Sequence, residues 1–245
     1  DNSLKDVFSL ADPRVENTIV IDTGTYYISA LEPSDHCLVL GSNSDLTLDG
    51  NIILNPNFYP VYSILYLKGE NIYVHGKGSI SGDKDYHIGN EGEWGLGIDV
   101  AGGENIRIEG MTVKDCWGDC IYIQKKTKSV SINNCVLYNG RRQGISVIYA
   151  QEVKVNDCLI FNIGGTRPGY AIDIEPTKGE VVHSVVIDNV IVTNCRGGFA
   201  TYGRAKDSRI DSVIIKNCSV GNSEYYPMSF IKSNYVMIEY SKINK

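Results

Sequence analysis

Two acids stand two residues apart in Asp173-Ile174-Glu175. In an extended strand such a pair shares one face, with backbones ~6.6 Å apart. Carboxyl groups held that close split their proton affinities, so one keeps its proton while the other ionises. Cleavage of a glycosidic bond uses such a pair: one donates a proton to the leaving oxygen, and the other activates water or attacks. Asp119 is an alternative catalytic carboxylate, and Arg141, Arg142 and Gln143 lie between it and the pair. Tyr122, Tyr149, Tyr170 and Trp94 flank this polar group in the chain. Aromatic rings offer apolar faces on which a sugar can stack. The acids also have a plainer use, as surface ion pairs with Arg141 and Arg142. Asp99, Asp119 and Asp173 would bind calcium only if several of their oxygens converged. No metal or cofactor is therefore expected, and His87 is the only histidine placed to take part.

The elements that must hold these residues are short strands. Phrases beginning at Leu46, Ile72, Ile106, Val130, Val153, Val185, Val213 and Val236 alternate apolar and polar residues. Their starts are separated by 26, 34, 24, 23, 32, 28 and 23 residues. Strands at a period in the twenties, with no helix between them, mark a coiled stack, a parallel β-helix. A second series precedes the first in each coil, starting at Gly97, Cys120, Gly144, Ala171, Phe199 and Ser229. Its alternation predicts Ile98, Ile121, Ile145, Ile172, Ala200 and Phe230 inside, and Asp99, Tyr122, Ser146, Asp173, Thr201 and Ile231 outside. Coils ~4.8 Å apart then gather the candidate residues on one wall. Extra residues at 77–94, 163–169 and 176–184 predict loops, and two of these flank the acid pair.

The chain of 245 residues suits one domain over 1–245, with residues 1–12 predicted as a helical cap over the first coil. Capping protects strand edges and an apolar interior. No comparable cover follows Val236, so the chain is expected to be a fragment or to associate with copies of itself. Cys135, Cys158 and Cys218 share a register position with Met111 and Val190. A position that accepts all three residue types is interior, which predicts a buried column of thiols. Asp115, Asn139, Asn162, Asn194 and Asn222 form a corner ladder. Net charge is −6 with no basic stripe, which argues against nucleic acid, and no apolar run is long enough to span a membrane.

Lys77-Gly78-Ser79-Ile80-Ser81-Gly82 resembles a Gly-x-Gly-x-Ile-x-Gly phrase of polygalacturonases. Gly118-Asp119-Cys120-Ile121 resembles their Gly-Asp-Asp-Cys strand, with Gly118 at the first acid. Arg142-Gln143-Gly144-Ile145-Ser146 resembles their Gly-His-Gly-Leu-Ser strand, with Gln143 at the histidine. Asp173-Ile174-Glu175 falls where they carry Arg-x-Lys. The chain thus resembles the right-handed parallel β-helix superfamily of pectin-degrading enzymes and phage tailspike depolymerases. That resemblance implies an all-β, right-handed solenoid with a carbohydrate groove over most of the chain. The acidic replacements point away from a uronate at that position and towards a neutral or amino sugar. Arg141-Arg142-Gln143-Gly144 also resembles β-helical alginate epimerases and lyases, in which Arg142 and Tyr149 would supply cation and base. The expectation is an enzyme cleaving an extracellular or capsular polysaccharide, secreted or on a virion surface, with Asp173 and Glu175 as acid and base. Arg141, Arg142, Gln143, Tyr122, Asp99, Trp94 and Tyr149 would position the glycan. The alternatives are a lyase or epimerase, a non-catalytic glycan-binding or tailspike adhesion module, and a structural shaft.

Overall fold

Alternation and β-branched residues produce what they predict, a parallel β-solenoid. The computed structural model describes residues 2–244. Among these, every strand pairing is parallel. The wall that carries the candidate residues takes one strand from each coil: Asp35–Leu40, Val61–His75, Trp94–Glu109, Ile121–Gln124, Ile145–Val147, Tyr170–Ile174, Gly197–Tyr202 and Met228–Ile231. The two long strands, Val61–His75 and Trp94–Glu109, run on around a corner into a second face. A third face stacks nine short strands, from Thr25–Ile28 to Lys242–Asn244.

Inside the wall, Leu38, Leu65, Ile98, Ile121, Ile145, Ile172 and Phe199 stand in register, each essentially sealed from water. Burial of one such side chain contributes about 1.5–3 kcal/mol. The stack therefore fixes register, and register fixes what faces outward. The outward column reads Tyr66, Asp99, Tyr122, Ser146, Asp173, Ala200 and Ser229. Three expected registers are corrected, one being that Ser229, not Phe230, lies opposite Ala200, so Ser229 replaces Ile231 on the outer column. Phe199, not Ala200, lies opposite Ile172, so Ala200 faces out beside Asp173 and Thr201 is buried. The bulky Phe199 ring takes the interior place that an alanine would leave empty. Leu46 lies opposite Val74 rather than Ile72, a shift of two that keeps the same face.

The cap is shorter than expected. The helix is Asn2–Ser9, and it buries Leu4 and Phe8 while Val7 and Leu10 remain exposed. Residues four apart share a helix face, which selects Leu4 and Phe8 as the pair directed to the core. Lys5 ties the helix to the first coil through Asp35, at 3.0 Å. At the corners, Asp115, Asn139, Asn162, Asn194 and Asn222 all adopt positive φ, between 49° and 57°. Asn139 Nδ2 donates to Asp115 Oδ1 across the rung at 2.7 Å. All seven cysteines are buried free thiols, and Cys135, Cys158 and Cys218 bond through Sγ to nearby backbone carbonyls.

Candidate active site

Three coil mouths stack to build the site. Arg141 and Arg142 donate through their backbone nitrogens to Cys116 O and Gly118 O, which sets residues 141–143 directly over 116–119. The next coil is docked by Gln143, whose Oε1 accepts from Tyr170 N at 2.6 Å. Gln143 Nε2 donates to Asp173 Oδ2, also at 2.6 Å. The glutamine is fully buried, so one amide fixes both the tyrosine backbone and the aspartate side chain.

Arg142 is the centre of charge. Its Nη1 donates to Asp119 Oδ2 at 2.8 Å, and its Nη2 reaches Glu175 Oε2 at 3.5 Å. Glu93 Oε2 lies 3.8 Å from Nε, a buried nitrogen with no hydrogen-bond partner. Glu175 takes a second guanidinium, with Arg204 Nε donating to Oε1 at 2.7 Å. Asp119 has no exposed surface and also accepts from Ser146 Oγ (2.6 Å) and Gln143 N (3.1 Å). Both Asp119 oxygens are thus occupied beneath the surface.

Electrostatics separates the acids. Burial pushes the Asp173 carboxyl up to about 8; the neighbouring Glu175 charge adds to the rise and Arg142 opposes it. Burial also raises Asp119, with Arg142 and the bond from Ser146 opposing. Asp99 rises to about 6 by burial, and Gln124 counters this by donating to both its oxygens at 2.9 and 3.1 Å. Burial, then the Asp119 charge, raises the Tyr122 phenol, so it is a poor base.

Asp173 and Glu175 open onto a cavity of about 310 Å³, lined also by Arg167, Tyr170, Tyr202, Arg204 and Ile231. One wall comes from the 163–169 loop, as expected. The other comes from the two following coils and not from residues 176–184, because Arg204 reaches back to Glu175.

The remaining candidates are dispersed. Arg141 does not join the acids; its guanidinium lies 3.7 Å from the Trp117 ring centre and donates to Gly92 O at 2.8 Å. Trp94 is 40% exposed opposite Val61, on an earlier coil. Tyr149 lies at a corner, its carbonyl accepting from Thr127 N. Asp99 lies three rungs from Asp173 on the outer column. Asp99, Asp119 and Asp173 do not converge, and among the described residues no group of three His, Cys, Asp or Glu could hold a metal ion. His87 belongs to the 77–94 loop and turns its ring inward, bonded through Nδ1 to Asp83 at 2.9 Å and stacked on Trp117. Gly118 is shaped by the same loop: a Cβ there would come within 2.5 Å of Glu93 O. An acid at that position has no room, which accounts for its departure from the polygalacturonase pattern.

A family model described as "Right handed beta helix region" matches residues 19–184. The chain belongs to this right-handed β-helix family. Two relatives from Bacillus subtilis (strain 168) are similar in sequence. The SPbeta prophage-derived uncharacterized protein YorA is 35% identical over 158 residues, covering 55% of this chain and 27% of YorA. The uncharacterized protein YclG is 30% identical over 216 residues, covering 76% of this chain and 37% of YclG. The chain thus spans well under half the length of either relative. Among solved structures, the A-module of the Azotobacter vinelandii mannuronan C-5 epimerase AlgE6 superposes with a TM-score of 0.68 at 15% identity, covering 98% of this chain and 70% of that one. A mutant of the tailspike protein of E. coli bacteriophage HK620, solved in complex with a pentasaccharide, gives 0.68 at 12% identity, covering 99% and 53%. At such identities the likeness establishes the fold.

Proposed function

We propose that this β-helix binds a polysaccharide in the cavity beside Asp173 and hydrolyses a glycosidic bond there. Asp173 is the proton donor, since burial holds its proton into the neutral range. Glu175, gripped by Arg142 and Arg204, is the partner carboxylate that activates water or attacks the sugar. Asp119, Arg142 and Gln143 act through these two, as positioning residues. The observation that carries the reading is the pair itself: two acids of different electrostatic setting on one cavity, where each other wall residue on that column is neutral or distant. The pentasaccharide on the HK620 tailspike and the polymer named for AlgE6 support a glycan as ligand. YorA's prophage origin supports a setting on a virion or outside the cell. Lyase or epimerase chemistry needs a free cation to neutralise a uronate carboxylate. Arg142 is committed to Asp119, Glu175 and Glu93, which favours hydrolysis.

The test is incubation with a panel of capsular and plant polysaccharides, reading both reducing ends and 4,5-unsaturated ends. Hydrolysis yields the first without the second. Asp173→Asn and Glu175→Gln are each expected to lower the rate by about 10²–10⁴-fold. Full cleavage by both variants would refute the assignment. Tight binding with no cleavage of any polymer would make the chain an adhesion module.

A further inference from the structure

A second cavity, of about 270 Å³, adjoins the acidic one and shares Arg167, Pro168 and Tyr170 with it. Its remaining lining is Arg196, Tyr225 and Tyr226. The acids line only the first cavity, together with Arg167 and Arg204, whereas the second holds Arg167 and Arg196 and no acid. Among the described residues neither Arg167 nor Arg196 forms an ion pair. Arg196 lies over the Tyr225 ring at 4.5 Å and donates to its hydroxyl at 3.0 Å. This fixes the guanidinium without neutralising it, and a stacked guanidinium keeps donors for a planar anion. Glu224 borders Arg196 on its far side, in a separate cavity of about 460 Å³, and does not pair with it. Tyr226 is 67% exposed, a ring free for stacking.

The backbone is built to hold this arrangement. Gly169 has a φ of +82°, and a Cβ there would fall 2.7 Å from Arg196 Cβ. Only glycine both adopts that turn and lets the arginine stem lie along the loop. Successive coils place Tyr170 beside Gly197, and Gly198 N donates to Tyr226 O one coil further on. The two cavities therefore span the same three coils and lie side by side across the wall, the second at the strand entries and the first at the strand exits.

We infer that the second cavity is a recognition subsite for a hexuronate, adjacent to the sugar held at Asp173 and Glu175. The inference rests on the glycan-cleaving reading and deepens it: the substrate is an acidic heteropolysaccharide in which a neutral or amino sugar neighbours a uronic acid. In the second cavity a uronate carboxylate meets no acid and two guanidinium groups that can donate to it. The two arginines set the register of the chain, so that a bond beside the neutral sugar lies at the acids.

The test is calorimetric binding of a tetrasaccharide that alternates glucuronate with N-acetylglucosamine, and of the same tetrasaccharide with its carboxyls reduced to alcohols. One charge-assisted contact sets the expectation at roughly tenfold tighter binding of the charged form. Arg167→Gln and Arg196→Gln are each expected to cut that preference, and the double variant to abolish it. Arg196→Lys retains part of it. Equal binding of the two forms, no binding of either at millimolar concentration, or a preference that survives the double variant overturns the subsite. These readouts involve binding alone. A lost preference leaves the cleavage assays with Asp173→Asn and Glu175→Gln intact, and their failure leaves the preference intact.

Discussion

The corner ladder and the outer wall column are both stacks of polar residues, yet they obey opposite rules. The ladder repeats one solution: Asp115, Asn139, Asn162, Asn194 and Asn222 share positive φ, and Asn139 bonds its counterpart one coil below. Each coil must turn the same way, so each corner needs the same short polar side chain. The wall repeats nothing. Asp99, Tyr122, Ser146, Asp173 and Ala200 occupy equivalent rungs with different chemistry. The interior stack already fixes the register there, which frees the outer residues to differ. In this solenoid, architecture resides where the pattern repeats and chemistry where it breaks.

That contrast can be challenged by substitution. Arg142→Gln carries the largest expected stability effect. It leaves Asp119 buried without its cation, and loss of one partner from a buried ionic group costs about 3–5 kcal/mol. Urea unfolding measures it; a loss below about 1 kcal/mol would mean the wall is no more cooperative than an exposed ion pair.

The next effect depends on pH. Asp173 has a folded pKa raised from 3.8 to about 8. Its contribution to stability is therefore complete below about pH 4 and is lost as pH rises through 8. Asp173→Asn does not undergo that loss. The variant should unfold much like the unmodified chain at pH 4 and gain on it at pH 9, by on the order of 5 kcal/mol. A difference that is flat across this range would place the titration elsewhere.

Asn139→Ala gives the smallest effect. It removes one rung of a repeated ladder, with an expected loss of about 1 kcal/mol and no change in ligand binding. A change in binding with little loss of stability would break the division between corner and wall.

Much of this architecture is legible in the sequence alone. Period-two alternation and a short repeat predict the stack, and placing Asp173, Glu175 and Gln143 on one wall requires only rung counting. The thiol and asparagine columns are visible for the same reason, since each is a repeat. What escapes sequence reasoning lies where the repeat slips or where a side chain travels. Phe199 displaces Ala200 from the interior, which moves the following coil by one residue and conceals that Arg204 reaches Glu175. Glu93 approaches Arg142 from a loop whose path no periodicity describes. Arg141 and Arg142 are adjacent in the chain, yet one turns to Trp117 and the other to the acids, a choice made by packing. Arg167 and Arg196 lie 29 residues apart and meet only because the coils superpose.

The claim beneath the proposed chemistry is that this wall keeps a proton on Asp173 at neutral pH. Carbon-13 NMR of the side-chain carboxyl, with Asp173→Asn to assign the resonance, measures this directly. A midpoint near 8 is expected. A midpoint near the ordinary carboxylate value of about 4 would show Asp173 ionised at neutral pH, and it could not then be the proton donor.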